Sequence, residues 1–267
     1  MILDLPVHVP RYAFSPRNAA RAGDIWRTLQ EVATEASTRC GWPPSRFNAE
    51  GLGFIVREMV CLHHRETFHG EALTAKTWVR DFRRGMFTTR EVRIRAADGA
   101  PVVSAAQGWV HVKVDAGPGG PALKPMRAPD ALVSAFPLAD PEDPLALPGF
   151  VPNPGAAWSV VLDPWHVSMD PLGHANHPAY VDWADEAISR ALAARGIDPH
   201  GLVPVAERVV YRDGVRGGDL VTVDSQVVGD TDGAVAITHR LLVGTREAAV
   251  ATTLRRHVGV DLRAALG

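Results

Sequence analysis

Within residues 169–187 the chain carries Asp170, His174 and Asn176 inside a seven-residue span that reads as a loop, with helical periodicity following at once. A carboxylate can attack a carbonyl carbon or take a proton from water, and an imidazole can orient water, polarise a carbonyl or protonate a leaving group. A carboxamide such as Asn176 positions groups but has no useful pKa. Set before a helix N-terminus, whose free N–H groups and positive dipole end steady an oxyanion, these residues point to attack on a carbonyl. Gly173 allows a tight turn and offers its own N–H to the oxyanion. Tyr180 and Trp183 are three apart and share a helix side, where they shape a pocket or the core. Glu186 lies one helical step further and, if turned inward, holds His174 or water. Each residue also has a plainer reading. Asp170 makes an Asx-turn ahead of Pro171, His174 bonds backbone, Asn176 caps the helix, Tyr180 and Trp183 pack, and Glu186 faces solvent.

The elements that position this loop come from periodicity. A helix is predicted over 178–195, stopped by Gly196, after an extended run over 158–168. Strands are predicted over 202–211, 219–229, 235–245 and 248–260, with Asp232-Gly233 as a hairpin turn. The first half repeats the rhythm. An extended stretch over 5–14 precedes a helix over 24–39, with Asp24 as N-cap and Ile25, Leu29, Val32 and Ala36 as its apolar stripe. Gly41, Pro43 and Pro44 end it, and strands follow over 54–62, 71–82, 88–96 and 102–114, with Asp98-Gly99 as the matching turn. The stretch 115–157, rich in Gly, Pro, Asp and Ala, reads as linker. The order fits an α+β fold in which a helix lies against a curled antiparallel sheet, twice over.

Composition excludes several classes. The chain has 267 residues, 46% of them hydrophobic and 22% charged, with a formal net charge of -2, which argues against a large nucleic-acid footprint. Arg83-Arg84 and Arg255-Arg256 suit either a phosphorylated ligand or acidic carrier, or plain solvation. Two cysteines, Cys40 and Cys61, make no disulfide framework. No stretch approaches the roughly 20 apolar residues that span a bilayer, so a soluble cytoplasmic protein without membrane partners is expected. The neighbours His63-His64 sit on a predicted strand and point to opposite faces, a poor metal pair. Asp163, His166 and Asp170 form no closed ligand set. Neither metal nor cofactor is expected.

At Asp170, Gly173, His174, Asn176, Tyr180 and Glu186 the spacing resembles the hot-dog thioesterase motif, and on that pattern His177 is a weaker candidate than His174. Over residues 5–260 the chain further resembles the acyl-ACP thioesterases, which carry two hot-dog domains in one polypeptide. The stretches 51–56, 73–79, 90–99 and 105–110 carry that likeness in the first half. The loop itself is similar to that of the hydroxybenzoyl-CoA thioesterases, where the first Asp is nucleophile or base. Two positions depart from the plant-type pattern: Leu172 stands where those enzymes have Asn, and Val215 near their later acidic residue.

The resemblance implies a tandem hot-dog fold, each unit a long helix wrapped by a curved antiparallel sheet. Residues 1–120 would form a degenerate first unit, 121–157 a linker and 158–267 the unit with the catalytic loop. The implied activity is hydrolysis of an acyl-ACP or acyl-CoA thioester, with Asp170, His174, Asn176 and Glu186 catalytic and Gly173, Tyr180 and Trp183 shaping the substrate and oxyanion site. The first half has no Asp and His pair before its helix and would supply the second wall of one site per chain, as monomer or homodimer. Ser15, Arg17 or Arg21 would meet a pantetheine or phosphate, or solvent alone. A hot-dog dehydratase or lyase, and a noncatalytic acyl-thioester-binding protein, are the competing functions.

Overall fold

The computed structural model describes residues 2–115, 117 and 121–267, so part of the 115–157 stretch lies outside the described residues. The first half runs β1 (Ile2–Val7), a 3-10 turn (Arg11–Ala13), α1 (Ala22–Arg39), α2 (Pro44–Glu50), β2 (Leu52–His63), β3 (Leu73–Arg83), β4 (Phe87–Ala96) and β5 (Pro101–Asp115). Between the halves lie β6 (Ala122–Pro125), α3 (Asp130–Ala135) and β7 (Val151–Pro152). The second half repeats the first: β8 (Ala157–Leu162), a 3-10 turn (His166–Ser168), α4 (Ala179–Ala193), β9 (Leu202–Tyr211), β10 (Val221–Thr231), β11 (Ala234–Val243) and β12 (Arg246–His257). A last 3-10 turn (Pro199–Gly201) leads into β9, and α5 (Leu262–Leu266) ends the chain.

Each half forms an antiparallel sheet, in the order β1-β3-β4-β5-β2 and β8-β10-β11-β12-β9. The two join where β2 and β9 pair from Glu58↔Val210 to Leu62↔Ala206, which removes two edges that would otherwise invite association. The expected α+β tandem hot-dog arrangement is present, one long helix wrapped by each curved sheet.

α1 forms because Ile25, Leu29, Val32 and Ala36 recur at helical spacing, and all four are buried. It starts two residues earlier than predicted. Arg21, not Asp24, stands at the N-cap, and Asp24 lies in the first turn, where it suits the positive helix end and pairs with Arg27 at 3.1 Å. Gly41, at φ +81°, turns the chain away, but Pro44 then starts α2 instead of only ending α1. α4 buries Tyr180, Trp183, Ala184, Ala187, Ile188, Ala191 and Leu192, an i, i+3, i+4 pattern. The run over 158–168 is strand only to Leu162, since Pro164 interrupts it.

Asp98-Gly99 joins β4 to β5, and Asp232-Gly233, with φ of +20° and +78°, joins β10 to β11. The stretch read as linker is structured in part. β6 pairs with the end of β5, and Leu132 of α3 and Phe136 just after it pack with Trp42, Leu52 and Val79 of the first unit. One cluster holds buried residues of both long helices, so the halves share a core. Among the described residues no helix is long and apolar enough to cross a membrane.

Candidate active site

The Asp170 loop is a small hairpin pinned by a bridge between Met169 and Ala175. The Asp170 amide donates to the His174 carbonyl at 2.7 Å, and the Gly173 amide donates to the Asp170 carbonyl at 2.9 Å. Gly173 sits at φ +74°, the left-handed conformation this turn demands. Asp170 Oδ1 accepts from the amides of Leu172 at 2.8 Å and His174 at 3.3 Å, so the Asx-turn is real. Oδ2 makes no hydrogen bond among the described residues. Burial raises the Asp170 pKa above the ordinary aspartate value, and the two amide bonds and His174 offset only part of that effect. A turn carboxylate with one oxygen unclaimed and raised basicity can take a proton.

The second support comes from the connection after β9. The Val215 amide donates to Tyr180 Oη at 3.1 Å, and the Val215 carbonyl accepts from Ala175 at 2.7 Å. Val215 thus ties the loop to α4 through its backbone, where the plant-type pattern expects an acidic side chain. Asp213, two residues earlier, lines the cavity. Burial opposes its ionisation, yet the Gly214 amide and Arg246 hold its carboxyl below the usual value. Gly214 leaves room for the His174 ring, because a Cβ there would lie 2.7 Å from His174 Cγ.

Asp170, His174, Asn176 and Tyr180 line one cavity of about 480 Å³ between the two units. Its opposite wall is built by Phe54, Ile55, Val56, Trp109 and Val110 of β2 and β5, Gln30 of α1, and Leu123 of β6. The linker therefore contributes to the site, as do Arg57, His177 and Tyr211, none of which the motif singles out. Leu172 also lines it, so an apolar side chain stands where the plant-type pattern has Asn. The Asn176 side chain makes no hydrogen bond among the described residues. It does not cap α4, whose N-cap is Pro178 without a side-chain bond. Tyr180 is buried, packs on Trp183 and Tyr211 with ring centroids 4.9 and 5.1 Å apart, and burial pushes its pKa to about 12, so its hydroxyl stays protonated.

Three predicted residues are placed otherwise. Gly173 does not line the cavity, and its amide is already engaged by Asp170. Trp183 is buried behind Tyr180, outside the cavity lining. Glu186 is exposed and bonds Arg190 at 2.7 Å, one turn along the helix. Its neighbour Asp185 turns inward and bonds Arg255 at 2.8 Å. Of the first-half candidates, Arg17 is tied to Glu66 and to the His200 carbonyl at 2.7 Å, and does not line the cavity.

The first half carries the same hairpin without its chemistry. Phe14 and Ala20 form the bridge, Ser15 donates to the Ala19 carbonyl at 2.8 Å, and Asn18 takes φ +63°. Ser15, Ala19 and Arg21 thus stand where the second half has Asp170, His174 and Asn176.

A buried charged cluster lies outside the cavity. His63 faces inward, His64 bonds Ser104 at 2.8 Å, and strand alternation puts Cys61 on the same face as His63, a spacing missed in the sequence. Cys61, His63 and Glu207 have potential ligand atoms within 4.8 Å of one another. Glu207 is already engaged, however. His63 lies at 2.9 Å, Trp26 donates at 3.1 Å and Arg255 at 2.5 Å. A second cation beside a buried guanidinium would be repelled, so the group fits a protein charge network better than a metal site.

Residues 6–117 match the family model described as the acyl-ACP thioesterase N-terminal domain, and residues 164–266 match that of the thioesterase-like superfamily. No curated protein matches the chain significantly. Among solved structures, a Lactobacillus plantarum protein assigned as an oleoyl thioesterase has a TM-score of 0.76 at 16% identity, covering 97% of this chain and 98% of its own. The 12:0-ACP thioesterase of Umbellularia californica has a TM-score of 0.70 at 15% identity, with 96% and 97% covered. An acyl-ACP thioesterase of Bacteroides thetaiotaomicron has a TM-score of 0.67 at 15% identity, with 96% and 98% covered.

Proposed function

We propose, for a chain that joins an acyl-ACP thioesterase N-terminal domain to a thioesterase-like domain and is thereby a thioesterase, that the Asp170 cavity hydrolyses an acyl thioester on a carrier protein. The observation that carries this reading is the convergence of Asp170, His174 and Asn176 on one cavity whose far wall is mostly apolar, with Phe54, Ile55, Val56 and Val110 among its lining.

Asp170 acts as the base. Water oxygen adds to the thioester carbonyl carbon while its proton passes to Asp170 Oδ2. The Asn176 carboxamide and the N-terminal end of α4 stabilise the charge on the carbonyl oxygen. The carbon–sulfur bond then breaks, and the departing sulfur takes a proton delivered by His174 or by Asp170. The products are a carboxylic acid and a free thiol. Gly173, Trp183 and Glu186 are proposed only as support for the turn, the packing behind Tyr180 and the helix surface.

Residues 1–120 supply the second wall and no second catalytic set, since Ser15 and Ala19 cannot replace a carboxylate and an imidazole. One chain therefore completes one site. The carrier is favoured over CoA by the acyl-ACP thioesterase family model over residues 6–117; a groove of about 440 Å³, lined by Arg57, Arg83, Arg84 and Glu58, adjoins the cavity and shares Arg57 and Trp109 with it. Its arginines suit an acidic carrier surface and equally the phosphates of CoA.

The test is thiol release from matched acyl-ACP and acyl-CoA substrates by wild type and Asp170→Asn. Turnover abolished by the substitution supports the assignment, and turnover that survives it sinks the site. A substrate changed without thiol release would point to a lyase. In labelled water, label appearing in Asp170 after one turnover would show direct attack and an anhydride opened at the Asp170 carboxyl carbon.

A further inference from the structure

Three arginines are buried among the described residues, Arg90, Arg93 and Arg255. Two of them meet carboxylates. Arg93 bonds Glu91 at 3.0 Å and Glu142 at 2.7 Å, and Arg255 bonds Asp185 at 2.8 Å and Glu207 at 2.5 Å. Arg90 has no carboxylate partner among the described residues. Its one hydrogen bond runs from Nη1 to the Thr77 hydroxyl at 3.3 Å, and its guanidinium carbon lies 5.7 Å from the centre of the Phe136 ring. The adjacent acid, Glu91, is taken by Arg80 and Arg93.

The sheet holds Arg90 in place. It lies on β4, paired with Val79 of β3 on one side and Gln107 of β5 on the other, and is 6% exposed. Burial pulls its pKa down to about 10, which still leaves the side chain charged at neutral pH. The titratable group that acts on it is Cys40, but burial pushes that thiol upward, so no thiolate supplies the missing charge. The C-terminal end of α1, at Cys40, brings only a partial negative charge, and none of its carbonyls accepts from Arg90.

Beside the guanidinium is a void. Arg90, Thr77, Cys40 and Phe136 line a space of about 10 Å³, enough for one water-sized guest, and no residue of its lining belongs to the Asp170 cavity. Nε and Nη2 of Arg90 make no hydrogen bond among the described residues, and neither is sealed off in the way that Nη2 of Arg255 is. A cation taken out of water, short of a counter-charge and with N–H donors to spare, is completed by an anion. The size of the space favours a single atom over a phosphate or sulfate.

We propose that the Arg90 void is a halide site, occupied by chloride in ordinary buffers, and that the bound ion stabilises the first unit by supplying the counter-charge. The proposal is independent of the thioesterase reading.

The test is thermal melting of the full chain, dialysed free of halide, as chloride replaces gluconate at constant ionic strength. Gluconate is too large for the void. Wild-type Tm should rise saturably by about 2–4 °C, the form expected for one site that exists only in the fold, and Arg90→Met should show no such rise. Arg90→Lys keeps the charge without the fork of donors and should respond only at higher chloride. Coincident chloride and gluconate curves for wild type overturn the proposal. A rise of equal size in Arg90→Met also overturns it, because the effect would then be one of salt in general. Wild-type crystals grown in bromide give a second reading that needs no variant. An anomalous peak in contact with the Arg90 guanidinium supports the site, whereas a water or empty space there overturns it. A peak without any halide effect on Tm marks an adventitious ion only, which also counts against the proposal. If Arg90→Met does not fold, the wild-type curves and the bromide peak decide.

Discussion

In the proposed reaction Asp170 combines a structural and a chemical demand in one carboxylate. Its turn bonds use only Oδ1, so Asn can keep the turn while losing the base. Asp170→Asn should lower kcat/KM by about 10²–10⁴-fold, measured by thiol release. It should also raise stability at neutral pH. Burial lifts the folded-state pKa, so the protonated form is favoured in the fold. The contribution is therefore full below the ordinary aspartate value and is lost as pH rises through the folded value. Melting curves across pH should show the Asn variant above wild type near neutrality, with the gap closing on acidification. Gly214→Ala tests His174 in the same way. A Cβ 2.7 Å from His174 Cγ must push the ring, so activity should fall by about 10²-fold with little change in Tm.

At the scale of elements, the loop, the start of α4 and the segment after β9 hold one another through few contacts. Tyr180→Phe would leave the buried Val215 amide without its acceptor. A loss of about 1–3 kcal/mol is expected in denaturant unfolding, together with weaker activity as the loop loosens. Retained stability would mean that Val215 finds another partner. The two long helices meet where Gly23 packs on Asp182, and a Cβ there would lie 2.7 Å from Asp182 Cγ. Arg27 bonds that same carboxylate, which burial nonetheless raises to about 6. This close approach is what lets two hairpins of the same shape flank a single core.

For the whole molecule, the decisive feature is that Glu207 of β9 bonds residues from both halves, His63 and Trp26 from the first and Arg255 from the second. Burial alone would raise Glu207, but His63 and Arg255 outweigh it and hold the carboxyl at about 2. Glu207→Gln should cost about 3–5 kcal/mol, because Arg255 is left buried and underpaired. Unfolding should stay a single transition, as the network joins the units. A depressed folded-state pKa means this stability is present above the ordinary glutamate value and lost as pH falls toward 2. The gap between wild type and variant should shrink over that interval, and a gap independent of pH would contradict the account.

The sequence by itself determined the repeated helix-and-strands order, the Asp98-Gly99 and Asp232-Gly233 turns, and the loop with Asp170, His174 and Asn176. Apolar spacing, turn chemistry and motif spacing are local properties, and local patterns are legible along a chain. Asp24 was misplaced as a cap because capping depends on where the backbone leaves helical geometry, a matter of one or two residues. Glu186 and Asp185 are adjacent acids with nothing local to distinguish them, and only the packing of α4 turned Asp185 to Arg255 and left Glu186 in solvent. The tertiary structure alone decided that Trp109, Arg57 and Leu123 line one cavity with the Asp170 loop, that Leu132 of α3 packs on Trp42, Leu52 and Val79, and that Cys61, His63 and Glu207 meet. Those contacts join residues far apart in sequence, and no periodicity within one segment encodes which distant segment it will face.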